Sequence, residues 1–203
     1  MSSKQKLLGN CSRGLLFVVS APAGTGKSTL VDRLTREFDT VRRSISCTTR
    51  PKRAGEVDGV DYHFVSQELF DQRVTERAFL EYVSLFGYAY GTIKEDVEAM
   101  LRIGQHVVLV IDTQGAEKLM NEVQAIYIFI MPPSAEVLSS RLSGRGTESE
   151  ESISRRLAEA QREMSCRERY NYCIVNDDID IAYQVLRSIV IAEEHKIRNK
   201  YGI

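Results

Sequence analysis

The residues with the clearest chemistry lie between Ser20 and Thr29, in the run SAPAGTGKST. A main chain that curls through Gly24 and Gly26 can aim several N–H groups at one anion. The partial positive charge of a helix start adds to them. Lys27 can then reach β- and γ-phosphate oxygens, and the Ser28 hydroxyl can ligate Mg2+. The pattern G-x-x-x-x-G-K-[ST] of phosphate-binding loops maps onto Ala21–Ser28, with Ala21 at the first glycine position. Ala21, Pro22, Ala23, Gly24, Thr25, Gly26, Lys27, Ser28 and Thr29 are therefore expected to capture a triphosphate tail. The bland alternative is a glycine-rich strand–helix turn without a ligand, and Lys-Ser at this spacing argues against it.

Such a loop needs a strand before it and a helix after it. Gly14–Ser20 is a short apolar run of the kind buried on both faces of a sheet. Leu30, Val31, Leu34 and Phe38 share one helical face. Residues 44–92 read differently. Candidate strands Ser44–Cys47, Tyr62–Val65, Leu80–Ser84 and Tyr88–Tyr90 alternate with Gly- and Pro-bearing turns, and a helix over Ser66–Thr75 takes Ser66 as its N-cap. This block reads as a small mixed lobe inserted into the main fold.

The α/β rhythm then returns. Thr92 can cap a helix to Ile103, and Val107–Ile111 and Ile126–Met131 read as core strands. Helices follow at Gln114–Asn121 and Ser134–Ser143, Gly144-Arg145-Gly146 breaks the pattern, and Thr147 with Glu150 opens a long polar helix to Cys166. Cys173–Val175 is a last strand. A final helix over Asp178–Lys200 would turn Ile179, Ala182, Val185, Leu186, Ile189 and Val190 inward. Alternating strands and helices imply a parallel sheet with helices on both faces, and ligands at the carboxyl ends of its strands.

Composition excludes several classes. The 203 residues are 43% hydrophobic and 27% charged, enough for one full core and too apolar for a disordered chain. A net charge of −1 argues against a nucleic-acid coat or a polybasic membrane anchor. No apolar run approaches the ~18 residues of a membrane span, and the first residues lack the apolar stretch of a secretory signal. Cys11, Cys47, Cys166 and Cys173 have neither disulfide-framework nor zinc spacing, so reduced thiols in a cytoplasm are expected. Residues 1–13 are polar and expected to fray as a flexible tail. His63, His106 and His195 are scattered and read as structural or exposed. Composition leaves the choice between monomer and homo-oligomer open.

A phosphate loop does not say what receives the phosphate. The segment SCTTRPKRAGEVDGVDY, followed by FLEY, YGT, IDTQG, RGTESEESISRRL and VND, resembles the signature of guanylate kinases over residues 14–195. The resemblance implies the nucleoside monophosphate kinase fold: a core (14–43, 93–140 and 168–203), a GMP-binding lobe (44–92) and a helical lid (141–167). It also implies transfer of a phosphoryl group from ATP to GMP with Mg2+. Arg50 and Arg53 suit the GMP phosphate, because guanidinium forks hold phosphate oxygens two at a time; Tyr62 and Tyr90 can each donate an O–H there. Guanine presents two adjacent donors, N1–H and the 2-amino group, and the resemblance assigns Glu81 to accept both, with Ser46 and Thr92 on the remaining base edge. Taken alone, Glu81 reads as a surface carboxylate on a strand. Asp112 matches an acid of the family's GMP site, while Val110 stands where the family commonly has another acid.

The same resemblance assigns Arg141, Arg145 and Arg156 to the transferring phosphoryl group, Arg145 also to ATP, and Asn176 to the adenine. Taken alone, these arginines and Arg155 read as salt-bridged helix surface near Glu148, Glu150 and Glu151, and Asn176 reads as a turn residue or cap. Two rivals stay open. One is a binding module of the same fold that performs no transfer, against which Gly26-Lys27-Ser28 speaks. The other is a kinase with a different acceptor, such as AMP or dGMP.

Overall fold

The computed structural model of the chain describes residues 6–143 and 160–197. Two sheets organise it. The larger contains β1 (Leu16–Ser20), β2 (Val41–Arg43), β7 (His106–Val110), β8 (Ile126–Met131) and β9 (Tyr172–Val175), in the order β2-β7-β1-β8-β9. Every pairing in it is parallel. The smaller has the order β4-β3-β6-β5, from β3 (Cys47–Thr48), β4 (His63–Phe64), β5 (Phe79–Leu85) and β6 (Tyr88–Ile93). There β5, β6 and β3 pair antiparallel, and β3 pairs β4 parallel.

Helices cover both faces of the parallel sheet. They are α1 (Lys27–Glu37), α3 (Lys94–Arg102), α4 (Thr113–Met120), α5 (Ala135–Ser143) and α6 (Ile179–His195); α2 (Gln67–Thr75) belongs to the small sheet. The alternation along β1 assigns the faces. Phe17 and Val19 pack with Leu30, Val31 and Leu34 of α1 and Leu186 and Val190 of α6. Leu16 and Val18 pack with Val97 and Leu101 of α3 and Leu119 of α4. A strand buried on both sides must be apolar throughout, as LFVVS nearly is. Phe70 of α2 and Cys47 and Ala89 form a separate small core.

Several boundaries differ from the sequence expectation. Thr92 does not cap α3: it lies inside β6, and Ile93 stands at the cap position. Ser44 lies between strands rather than in one. Within α6, Ile179 and Val185 face solvent and Tyr183 is buried in their stead. Asp178 caps α6 and Ser66 caps α2, each accepting from main-chain N–H groups of the first turn.

The expectation of fraying fails for residues 8–10. Leu8 is buried in the main core. The Glu194 carboxylate of α6 accepts from the main-chain N–H groups of Gly9 (2.7 Å) and Asn10 (2.9 Å) and from Asn10 Nδ2 (2.7 Å). It also meets His106 Nε2 at 2.5 Å, while His106 Nδ1 accepts from the Leu15 N–H at 3.0 Å. That pattern fixes His106 as the neutral tautomer with its proton on Nε2. Burial pushes the Glu194 pKa up, but these donors outweigh it and hold it down at about 2. A polar segment can thus be ordered by one buried anion with four donors. Among the described residues no helix is long and apolar enough to cross a membrane.

Candidate active site

The phosphate loop joins the end of β1 to the start of α1, at the carboxyl edge of the parallel sheet. Gly26 sits at the N-cap of α1 with φ 87°, in the left-handed region. A Cβ there would lie 2.6 Å from Asn176 Nδ2, so backbone and space both require glycine. Ala21 is not left-handed, so alanine is accommodated at the first motif position without strain. The loop is braced from behind. Thr25 Oγ1 donates to the Pro22 carbonyl (2.8 Å), and Asn176 Nδ2 donates to the Thr25 carbonyl (2.6 Å). The Asn176 carbonyl in turn accepts from Arg141 Nη1 of α5 at 3.1 Å.

Lys27 Nζ reaches back over the loop to the carbonyls of Ile111 (3.2 Å) and Ala21 (3.4 Å). Burial pushes its pKa down, against the opposing pull of Glu163 and Asp112. Among the described residues its hydrogen bonds are these two long carbonyl contacts, and an ammonium held this way is ready to exchange them for an anion. Ser28 and Thr29 are exposed in the first turn of α1. Among the described residues no cluster of three metal-ligating side chains exists. One exposed hydroxyl suits a hard cation that keeps most of its ligands as water and phosphate oxygens, as Mg2+ does.

A second constellation lies between the two sheets. Glu81 of β5 and Thr92 of β6 are cross-strand partners, beside a register shift between Phe79 and Glu81 that re-aims the strand. Thr92 Oγ1 donates to Glu81 Oε1 at 2.7 Å, and both residues are buried. Burial pushes the Glu81 pKa up to about 7; the hydrogen bond from Thr92 opposes this and the Asp112 charge adds to it. Asp112 caps α4, accepting from the Gly115 N–H at 2.8 Å, and burial raises its pKa as well. A buried and a half-buried carboxylate side by side form an acceptor pair suited to a ligand edge rich in N–H donors.

Beyond them lies the basic turn. Arg50 is only 8% exposed; its guanidinium donates to Glu56 Oε1 (2.7 Å) and the Pro51 carbonyl (2.9 Å) and lies 5.5 Å from the Tyr62 ring centre. The rings of Tyr62 and Tyr90 meet edge to face at 6.1 Å. Glu56 Oε2 accepts from the Arg53 main-chain N–H at 2.8 Å, while Arg53 itself is exposed.

The structure thus gathers Lys27 with Asp112, Glu81 with Thr92 and Asp112, Arg50 with Tyr62 and Tyr90, and Asn176 with Thr25 and Arg141. Ser46 is half-buried beside β3. Arg145 and Arg156, and most of the expected lid, lie outside the described residues. Sequence reasoning missed Glu56, which holds Arg50 and the Arg53 backbone. Its place three residues after Arg53, in a Gly-bearing turn, was the available signal. It also missed Glu163, whose Oε1 accepts from Thr113 Oγ1 at 3.3 Å and whose charge opposes the desolvation of Lys27.

The guanylate kinase family model matches residues 13–193. The chain belongs to the guanylate kinase family. It is 53% identical over 192 residues to the guanylate kinase of Protochlamydia amoebophila, covering 95% of this chain and 98% of that one. It is 48% identical to a guanylate kinase of Neisseria meningitidis over 94% of this chain and 93% of that one. A crystal structure of guanylate kinase from Anaplasma phagocytophilum superposes with a TM-score of 0.75 at 34% identity, covering 91% and 88% of the two chains. A shikimate kinase from Bacteroides thetaiotaomicron (TM-score 0.50, 14% identity, 87% and 98% covered) shares the fold alone. Membership in the guanylate kinase family agrees with a phosphate loop and an acidic pocket on two adjoining sheets.

Proposed function

We propose that the chain transfers the γ-phosphoryl group of ATP to GMP, giving ADP and GDP. The observation that carries this reading is the carboxylate pair of buried Glu81 and half-buried Asp112, set across from the phosphate loop. Guanine offers N1–H and the 2-amino group side by side, and ionised Glu81 accepts both. Adenine lacks that donor pair and would leave a buried carboxylate unpaired, a penalty large enough to reject it by ~10⁴-fold. In this reading residues 44–92 form the acceptor lobe and residues 141–167 the lid, on a core made of the remaining parts.

The loop N–H groups and Lys27 hold the β- and γ-phosphates, and Asn176 lies toward the adenine. Arg50 and Arg53, with Tyr62 and Tyr90, orient the GMP phosphate, and Ser46 and Thr92 complete the base contacts. A GMP phosphate oxygen attacks the γ-phosphorus, the bond to the β–γ bridging oxygen breaks, and ADP leaves with the electron pair. No side chain acts as a covalent nucleophile. Lys27, Arg50, Arg141, Arg145 and Arg156 disperse the charge that spreads over the transferring group. Mg2+, held on the protein side by Ser28, neutralises phosphate charge when bound.

The deciding experiment is an acceptor panel of GMP, dGMP, AMP and UMP with ATP and Mg2+, read by coupled ADP release. GMP is expected to support turnover orders of magnitude faster than AMP or UMP. Preference for AMP or UMP would overturn the acceptor assignment, and no turnover with any acceptor would favour a binding module.

A further inference from the structure

We infer that Gly115 is a specificity-determining residue: its missing side chain keeps open the slot in which the Glu81 carboxylate stands beside Asp112. This rests on the reading of Glu81 as the group that recognises the acceptor base.

Gly115 lies in the first turn of α4, and its φ is not in the left-handed region. The backbone therefore gives no reason for glycine, and helix propensity favours alanine by about 1 kcal/mol in a helix interior. The reason is spatial. A Cβ at position 115 would lie 2.8 Å from Glu81 Oε2, 3.2 Å from Asp112 Oδ1 and 3.3 Å from Glu81 Cδ. Its three nearest neighbours all belong to the two carboxylates.

A flexible side chain could step aside, but these are fastened. Glu81 is buried and its other oxygen takes the Thr92 hydroxyl at 2.7 Å. Asp112 Oδ1 takes the N–H of Gly115 itself at 2.8 Å. Nor does the helix have room to retreat freely: one turn on, Lys118 Nζ donates to the Tyr82 carbonyl of β5 at 2.6 Å and ties α4 to the strand that carries Glu81. A methyl group at 115 therefore displaces the Glu81 carboxylate from its bond to Thr92. Gly115 touches no reacting atom; it acts on the base through Glu81. None of these contacts involves residues 21–29.

The test is a cycle of G115A, E81A and E81A/G115A, read by GMP calorimetry, by binding of a non-hydrolysable ATP analogue and by thermal melting. G115A is expected to bind GMP about ten- to a hundredfold more weakly, the loss of a charge-assisted contact, with analogue affinity unchanged. In the E81A background the methyl meets no Glu81 carboxylate, so E81A/G115A is expected to melt at or above E81A and to bind GMP no more weakly. Should G115A fail to fold, the melting comparison of the two E81A proteins still decides. Equal GMP affinity in G115A and the parent, a parallel loss of analogue binding, or the same penalty for the methyl with and without Glu81 would each overturn the inference. A parent protein that binds no GMP would instead overturn the functional reading itself.

Discussion

The phosphate loop and the acceptor pocket solve recognition with different materials. The loop is made of backbone: a left-handed glycine at the mouth of α1, the Pro22 and Thr25 carbonyls taken up by Thr25 and Asn176, and one lysine resting on two long contacts. The acceptor pocket is made of side chains already satisfied by one another, Glu81 by Thr92 and Arg50 by Glu56. Apart from Lys27, a receptor made of backbone is set before its ligand arrives. A side-chain receptor must exchange internal partners for the ligand, so its affinity is set by how well those partners are matched.

The largest effect expected from this contrast falls on the loop. Lys27→Ala should lower turnover about a thousandfold, since a cation at the transferring group is lost, with an unchanged melting temperature. Near-parental turnover would break the loop side of the comparison. Glu81→Ala should weaken GMP binding about a hundredfold and leave ATP-analogue binding alone; equal loss for both nucleotides would make Glu81 a structural residue.

Next comes pH. Glu81 is an acid raised to about 7, with Asp112 and Lys118 as its charged neighbours. The pocket favours its protonated form, whereas accepting two guanine N–H groups needs the carboxylate. GMP affinity should therefore fall as pH drops through 7, by about tenfold at pH 6 relative to its high-pH plateau, with proton release on binding. Calorimetry in buffers of different ionisation enthalpy measures that release. E81Q should abolish the Glu81 part and keep only the titration of the phosphate. The sign for stability follows: between about pH 4.5 and 7 the unfolded chain loses this proton first, so Glu81 lowers stability as pH rises through that window. The smallest effect belongs to Glu56→Gln. With Arg50 loosened, the KM for GMP should rise severalfold, to about tenfold, while the KM for ATP stays fixed.

The same contrast decides what can be read without coordinates. A backbone receptor is local, so ten consecutive residues disclose Gly24, Gly26, Lys27 and Ser28 together with their strand and helix. The acceptor pocket draws Arg50, Glu81, Thr92 and Asp112 from four places, and pattern alone could not bring them together. Glu81 read by itself is a surface carboxylate; the resemblance to guanylate kinases assigned it, and the buried pairing with Thr92 supplies the physical ground. Thr92 misled as a helix cap because threonine suits both roles and only the pairing of β5 with β6 chooses. Glu56 and Gly115 were missed because each acts through a neighbour. The tail was misjudged because the anion that orders it sits 184 residues further along.

That distant anion bears on how the molecule is made. The ribosome delivers β1, β7 and the whole parallel sheet before it delivers Glu194, so His106 stands in the growing core without its acceptor, and Gly9 and Asn10 stay loose, until the last helix emerges. The fastening of Gly9 and Asn10 thus awaits α6, and a polypeptide cut short before α6 would also lack the Leu186 and Val190 that pack against Phe17 and Val19 of β1.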